Sequence, residues 1–148
     1  MVFPKGATEM AETVEERELE GLMRTAREAA HRAYAPYSTF RVGAAILTEN
    51  GEVYAGCNVE NASYGLAICA ERNAATTMVY REGPEAPKVR LVAVASPDAA
   101  PCFPCGACRQ FLREFGCEEI AVESESGEIR RLSFEREILP NSFGPEAL

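Results

Sequence analysis

Three cysteines stand at spacings that suit a metal-dependent reaction. Cys105 and Cys108 are three positions apart, and Cys69 lies further up the chain. Side chains at i and i+3 share one face of a helix, so both thiolates of the pair can bind one ion. Zinc takes thiolates in a tetrahedron, and three protein ligands leave one position for water. The pattern predicts a catalytic zinc site with one zinc per chain.

Glu71 follows Cys69 by two positions. Residues i and i+2 do not share a helical face, so Glu71 suits a place beside the open metal position better than a role as ligand. A carboxylate there can take a proton from water. The alternative is a closed, structural four-cysteine site that recruits Cys57 or Cys102 as its fourth ligand.

The segment PCFPCGAC contains the pattern P-C-x-x-C twice, so spacing alone does not choose between Cys102 and Cys108. Pro104 disfavours the helical conformation at Phe103, which keeps Cys102 off a shared helical face with Cys105. We therefore expect Cys102 to be a loop thiol. Three thiolates and one zinc carry a formal charge of −1, and Arg72 and Arg109 are predicted to offset it by hydrogen bonding to sulfur.

The elements that position these residues follow from hydrophobic periodicity and turn signals. A capping box at Thr13 and Glu16 predicts the start of the first helix, and Pro36 marks its end. Strands and helices then alternate: strands 41–48 and 53–59, helix 69–81, strand 88–96, helix 105–115, strands 119–123 and 129–133, and a short helix 134–139. The last two strands are joined by about five residues, too few for a parallel crossover. We expect an α/β fold, a three-layer α/β/α sandwich around a five-stranded mixed sheet whose last two strands are antiparallel.

Length and composition narrow the class of protein. The chain has 148 residues, which predicts one domain over 1–148, with 1–16 as a loose N-terminal extension. The net charge of −8 argues against a nucleic-acid partner. The longest apolar runs are five residues, against about 20 for a membrane span, and no secretory signal is evident. A cytoplasmic location without membrane attachment is expected.

Several segments resemble a known family. CAER at 69–72 and PCGACRQ at 104–110 resemble the zinc-dependent nucleoside and nucleotide deaminases. APYSTFRVGAAIL at 35–47, GCNVENASYG at 56–65 and LPNSFGP at 139–145 resemble the short, homotetrameric cytidine deaminases. Family members commonly carry Ser directly before PCG, where this chain has Phe103.

The resemblance implies an activity and a set of roles. It implies hydrolytic deamination of cytidine and 2′-deoxycytidine to uridine and 2′-deoxyuridine in pyrimidine salvage, by a homotetramer with Glu71 as proton shuttle. The remaining implied roles concern the nucleoside: ribose hydroxyls bound by Asn58 and Glu60, the pyrimidine stacked on Phe40, its carbonyl and amino edge contacted by the backbone around Ala70, and a neighbouring subunit's site lined by Tyr64 and Phe143.

Three other interpretations of the sequence remain open. A deaminase of blasticidin-type nucleoside antibiotics shares the zinc motifs, although the segment around Phe40 and the FGP tail favour cytidine. A polynucleotide deaminase often has H-x-E in place of C-A-E and parallel final strands. A non-catalytic, zinc-stabilised interaction module requires four protein ligands.

Overall fold

The computed structural model describes residues 14–148. The elements are α1 (Val14–Ala30), β1 (Gly43–Thr48), β2 (Val53–Cys57), α2 (Ala70–Glu82), β3 (Val89–Ala95), α3 (Gly106–Arg113), β4 (Glu119–Glu123), β5 (Ile129–Ser133) and a π-helical turn (Phe134–Ile138), with short 3₁₀ turns at Tyr64–Leu66 and Pro145–Ala147. Thr13, the predicted cap, lies outside the described residues. Residues 14–16 of the expected loose extension already belong to α1.

The predicted elements are all present, and their bounds agree within two residues except at the end of the first helix, which stops at Ala30 and not at Pro36. The predicted first strand began at Arg41, whereas the ladder begins at Gly43. The reason is local: the backbone N–H of Arg41 donates to the Asp98 carboxylate at 2.8 Å, and that of Val42 donates to Asn58 Oδ1 at 2.8 Å. Side chains of two loops satisfy donors that would otherwise continue the strand.

The five strands form one sheet in the order β2-β1-β3-β4-β5. Strand β1 is antiparallel to both β2 and β3, while β3 and β4 are parallel and α3 forms the crossover between them. Strands β4 and β5 pair antiparallel, with Glu119 opposite Ser133. The prediction of a mixed sheet with an antiparallel final pair is confirmed.

Helices cover both faces of the sheet. Side chains of a strand alternate between faces, and in β1 Ala45 and Leu47 pack in the cluster that contains α1. Ala44 and Ile46 point the other way, into the larger core beneath α2 and α3. The three-layer arrangement is therefore confirmed. None of the helices within residues 14–148 is long and apolar enough to cross a membrane.

A glycine sets the position of α2 on the sheet. A Cβ at Gly56 of β2 would lie 2.4 Å from the backbone nitrogen of Ala74 and 2.6 Å from the carbonyl oxygen of Ala70. Only glycine permits this approach. The first turn of α2 is thereby held against β2, and this turn carries Cys69 and Glu71.

Candidate metal centre and active site

The thiols of Cys69, Cys105 and Cys108 meet at one point. Their sulfur atoms all lie within 4.8 Å of one another, and Cys69 Sγ is 3.7 Å from Cys105 Sγ. Thiolates bound to a tetrahedral zinc at about 2.3 Å lie about 3.8 Å apart. The spacing of the sulfurs therefore fits zinc. Within the described part of the chain this cluster has three members, and Cys102 is not among them.

Two of the ligands occupy equivalent places on different helices. Cys69 is the N-cap of α2 and Cys105 is the N-cap of α3, each with extended backbone dihedrals. Cys108 lies in the first turn of α3 and is fully buried. Free N–H groups and the helix dipole at both N-termini favour negative charge. The local sequence thus produces a thiolate-stabilising centre from two helix starts.

The electrostatics of the thiols differ among themselves. Hydrogen bonds from Cys108 and Arg72 lower the pKa of Cys69 to about 5, against the opposing effect of burial. The same hydrogen bond and burial raise the pKa of Cys108 above its ordinary value. Of these two thiols, Cys69 is therefore the one that ionises more readily.

Glu71 lies beside the cluster in a buried position. Its side chain is only 3% exposed, and Cys108 Sγ donates to Glu71 Oε2 across 3.7 Å. Burial raises the pKa of Glu71 to about 7. A carboxyl group with a pKa near neutrality can both accept and return a proton.

The two predicted arginine partners behave differently. Arg72, one turn after Cys69 on α2, places Nη2 3.4 Å from Cys69 Sγ, as expected. Arg109 donates instead to the carbonyl oxygens of Pro104 and Ile138, both at 2.8 Å. The prediction that Arg109 hydrogen bonds to sulfur is corrected. Two backbone carbonyls need a donor there, so Arg109 braces the loop before α3.

A cleft of about 330 Å³ opens at the thiols and Glu71. Four of the residues assigned to the nucleoside by resemblance line this cleft: Phe40, Asn58, Glu60 and Ala70. The structure thus brings the metal ligands Cys69 and Cys105, the buried acid and the expected substrate contacts to one cavity.

Asn58 and Glu60 are already engaged with the opposite wall of the cleft. The Asn58 amide donates to the carbonyl of Phe40 at 2.8 Å and accepts from the N–H of Val42 at 2.8 Å. Glu60 Oε1 accepts from the N–H groups of Tyr37 and Ser38, at 2.9 and 3.1 Å. Hydrogen bonds from Ser38 and Tyr37 hold the pKa of Glu60 below its ordinary value.

Tyr64 and Phe143 lie outside the cleft lining. Tyr64 is 76% exposed and packs edge-on against Tyr37, with ring centroids 5.9 Å apart. Phe143 is 62% exposed on the C-terminal tail, where its carbonyl accepts from Gln110 at 3.1 Å. The tail is further fastened to α3 by Arg113, which donates to Ser142 at 2.8 Å. Neither aromatic ring belongs to this chain's own cleft.

Seven residues of the cleft lining received no site role from the sequence, and two of them belong to the loop before Cys105. Cys102 and Phe103 both line the cavity beside Cys105. Cys102 is half-buried, and this burial raises the pKa of its thiol to about 11. Two features of the sequence could have identified them: their position immediately before the ligand Cys105, and the presence of Phe at position 103, where family members commonly have Ser.

Comparison with known proteins places these features in a family. The family model "Cytidine and deoxycytidylate deaminase zinc-binding region" matches residues 16–124. A cytidine deaminase of Sporosarcina psychrophila is 38% identical over 133 residues, which cover 88% of this chain and 95% of that protein. A cytidine deaminase structure from Burkholderia pseudomallei has 42% identity and a TM-score of 0.73, covering 84% of this chain and 98% of that one. One from Mycobacterium tuberculosis has 37% identity and a TM-score of 0.73, covering 85% and 97%. This chain therefore belongs to the cytidine and deoxycytidylate deaminase family, with a zinc-binding site at Cys69, Cys105 and Cys108.

Proposed function

We propose that this protein hydrolyses cytidine and 2′-deoxycytidine to uridine and 2′-deoxyuridine with release of ammonia. The observation that carries the proposal is the buried carboxyl of Glu71 beside a three-thiol cluster, at the base of a nucleoside-sized cleft. When bound by the three cysteines, zinc supplies the Lewis acidity that activates water at neutral pH.

Glu71 is the proton carrier of the proposed reaction. It accepts a proton from water as the water oxygen forms a bond to C4 of cytosine. It delivers this proton to N3, takes the second proton from the new hydroxyl on C4, and passes it to the amino group. The C4–N bond then breaks, ammonia leaves and a C4 carbonyl remains. Its burial and a pKa of about 7 suit both directions of transfer. Alignment of water, carboxyl and base in one cavity supplies the remaining advantage.

The other cleft residues orient the nucleoside. Glu60 offers a charged carboxylate to the ribose hydroxyls, while the face of Phe40 stacks on the pyrimidine. Asn58 fixes the backbone on either side of Arg41 through its two hydrogen bonds. The family resemblance also assigns Asn58 to the ribose hydroxyls. The backbone around Ala70, at the start of α2, contacts the carbonyl and amino edge of the base.

A side-by-side assay tests this proposal. Loss of ultraviolet absorbance is followed for cytidine, 2′-deoxycytidine and a blasticidin-type nucleoside with the zinc-loaded protein. Turnover of the first two, with little of the third, is expected. Faster turnover of the blasticidin-type nucleoside would identify it, and not cytidine, as the substrate. Absence of turnover with all three nucleosides would contradict the proposed activity.

We further propose that four chains assemble and share their sites. Tyr37, Tyr64, Leu66 and Phe143 are large side chains that this chain leaves exposed, and Tyr37 and Tyr64 contact each other. We expect neighbouring chains to cover them. In the assembly, Tyr64 and Phe143 complete a neighbouring subunit's cleft. Sedimentation is expected to give one species near four times 16.1 kDa. A fully active monomer would contradict the shared site.

The chain is further proposed to act as one domain in the cytoplasm. All six cysteines are unpaired thiols, as expected of a protein in a reducing compartment.

A further inference from the structure

Phe103 forms part of the cleft wall directly before the metal ligands. It is 39% exposed, close to the 38% of Phe40, and both rings line the same cavity. Each ring therefore retains surface that a bound base can cover. The next residue, Pro104, is fully buried, so the loop is anchored immediately beside the ring.

The two aromatic walls are tied to each other. Arg41, the neighbour of Phe40, donates to Asp98 through its backbone N–H at 2.8 Å and through its guanidinium at 2.9 and 3.1 Å. Asp98 belongs to the loop that carries Phe103, and Arg109 braces the other end of this loop at Pro104. These contacts link the segment of Phe40 to the loop that carries Phe103.

The proposed function determines which edge of the base faces Phe103. C4 must reach the thiols and Glu71. N3, the neighbour of C4 that receives the proton, must face Glu71 on α2. The other neighbour of C4 is C5, so the C5 edge is turned away from α2 and toward the 102–105 loop. On the basis of the proposed function, we propose that Phe103 determines selectivity at C5 of the cytosine base by restricting the space for a substituent there.

The selection we propose is by size. A rigid apolar wall that must move to admit one extra methyl group typically costs about tenfold or more in kcat/KM. A hydrogen at C5 needs no such movement. The ribose end, at Glu60 and Asn58, lies on different segments of the wall and should not be affected by the side chain at 103.

The test compares cytidine, 5-methylcytidine and 2′-deoxycytidine as substrates of the wild type, Phe103→Ser and Phe103→Leu. Zinc content and thermal unfolding establish that each variant is folded and loaded. We expect Phe103→Ser to raise the ratio of kcat/KM for 5-methylcytidine to that for cytidine about tenfold, and Phe103→Leu to raise it less. The ratio for 2′-deoxycytidine to cytidine is expected to stay within about twofold, because the change is at the base.

The outcomes separate this inference from the activity itself. If the wild type deaminates cytidine and the 5-methyl ratio stays within about twofold in both variants, selectivity at C5 does not reside in Phe103. A change in the 2′-deoxycytidine ratio as large as that for 5-methylcytidine would also overturn the assignment. If the wild type does not deaminate cytidine at all, the proposed function fails and this inference fails with it.

Discussion

The two sides of the cleft are built in different ways. On the metal side, Cys69, Cys108 and Glu71 lie on the first turns of two helices packed against the sheet, and Cys108 and Glu71 are buried. On the nucleoside side, Glu60 lies outside the regular helices and strands, in a segment joined to its neighbours by isolated β-bridges at Val59, and Phe143 faces solvent. The sulfur cluster and the buried carboxyl thus lie within one chain, whereas one of the proposed substrate contacts faces solvent.

This difference has a physical origin. Thiolates and a proton-carrying carboxyl need fixed distances and exclusion of water, which helix N-termini on a packed core provide. A sugar that enters and leaves needs an accessible surface. Changes on the metal side are therefore expected to abolish activity, and changes on the nucleoside side to weaken binding.

The largest contrast is expected between two cysteines of the same segment. Cys108→Ala removes a buried ligand from the sulfur cluster and should lose both zinc and activity. Cys102→Ala removes a thiol outside the cluster and should keep one zinc per chain with activity within a few-fold. Metal analysis and turnover are measured on the same samples. A metal-free Cys102→Ala beside a zinc-loaded Cys108→Ala would show that the other P-C-x-x-C pair binds the metal.

The packing that supports the metal side can be disrupted by a substitution in the sheet. Gly56→Ala places a methyl group 2.4 Å from the backbone of α2. We expect a loss of about 3 kcal/mol or more in the free energy of unfolding, together with reduced zinc affinity, because the start of α2 must shift. Gly21→Ala on α1 is the matched control, since its Cβ meets only the Arg24 guanidinium at 3.9 Å. Equal stability of the two variants by denaturant unfolding would contradict the close packing of α2.

On the nucleoside side, Glu60→Gln should act through binding. Loss of the charged acceptor is expected to raise KM about tenfold with a smaller change in kcat. Hydrogen bonds hold the pKa of Glu60 below its ordinary value. The lower KM of the wild type, relative to Glu60→Gln, should therefore be fully present at pH values above the ordinary carboxyl pKa. It should be lost as the pH falls through the lowered pKa of Glu60. A fall in kcat with unchanged KM would move Glu60 to the chemical step.

The smallest effect on the folded chain is expected at Phe143. Because its ring is exposed, Phe143→Ala should change the free energy of unfolding by less than about 0.5 kcal/mol. KM for cytidine should nevertheless rise several-fold if the ring completes a neighbouring cleft. Steady-state kinetics and sedimentation are measured together. Unchanged KM in an intact tetramer would show that this side of the site needs no partner.

The sequence predicted the metal side well because its signals are local. A three-residue spacing and a proline-restricted loop selected Cys105 and Cys108 over Cys102, and helix starts placed Cys69 beside them. The sheet followed from apolar segments, from turn signals and from a connection too short for a parallel pair.

The features that the sequence did not predict depend on contacts between segments that are distant along the chain. Arg109 was expected at the sulfurs, but its guanidinium satisfies the carbonyl of Ile138, 29 positions away. No spacing rule relates these two residues. The segment of Phe40 and the loop that carries Phe103 are likewise joined by Arg41 and Asp98, 57 positions apart. Long-range polar contacts of this kind become visible only in the folded chain.

The most direct test of the account is zinc content and turnover measured on one preparation of Glu71→Gln. Gln keeps the size of the side chain but does not carry the proton. One zinc per chain with turnover reduced by at least about 10²–10⁴-fold is predicted, since general acid–base catalysis is worth that much. Near-normal turnover of cytidine, or loss of the zinc together with the activity, would contradict a proton carrier that stands beside the metal without binding it.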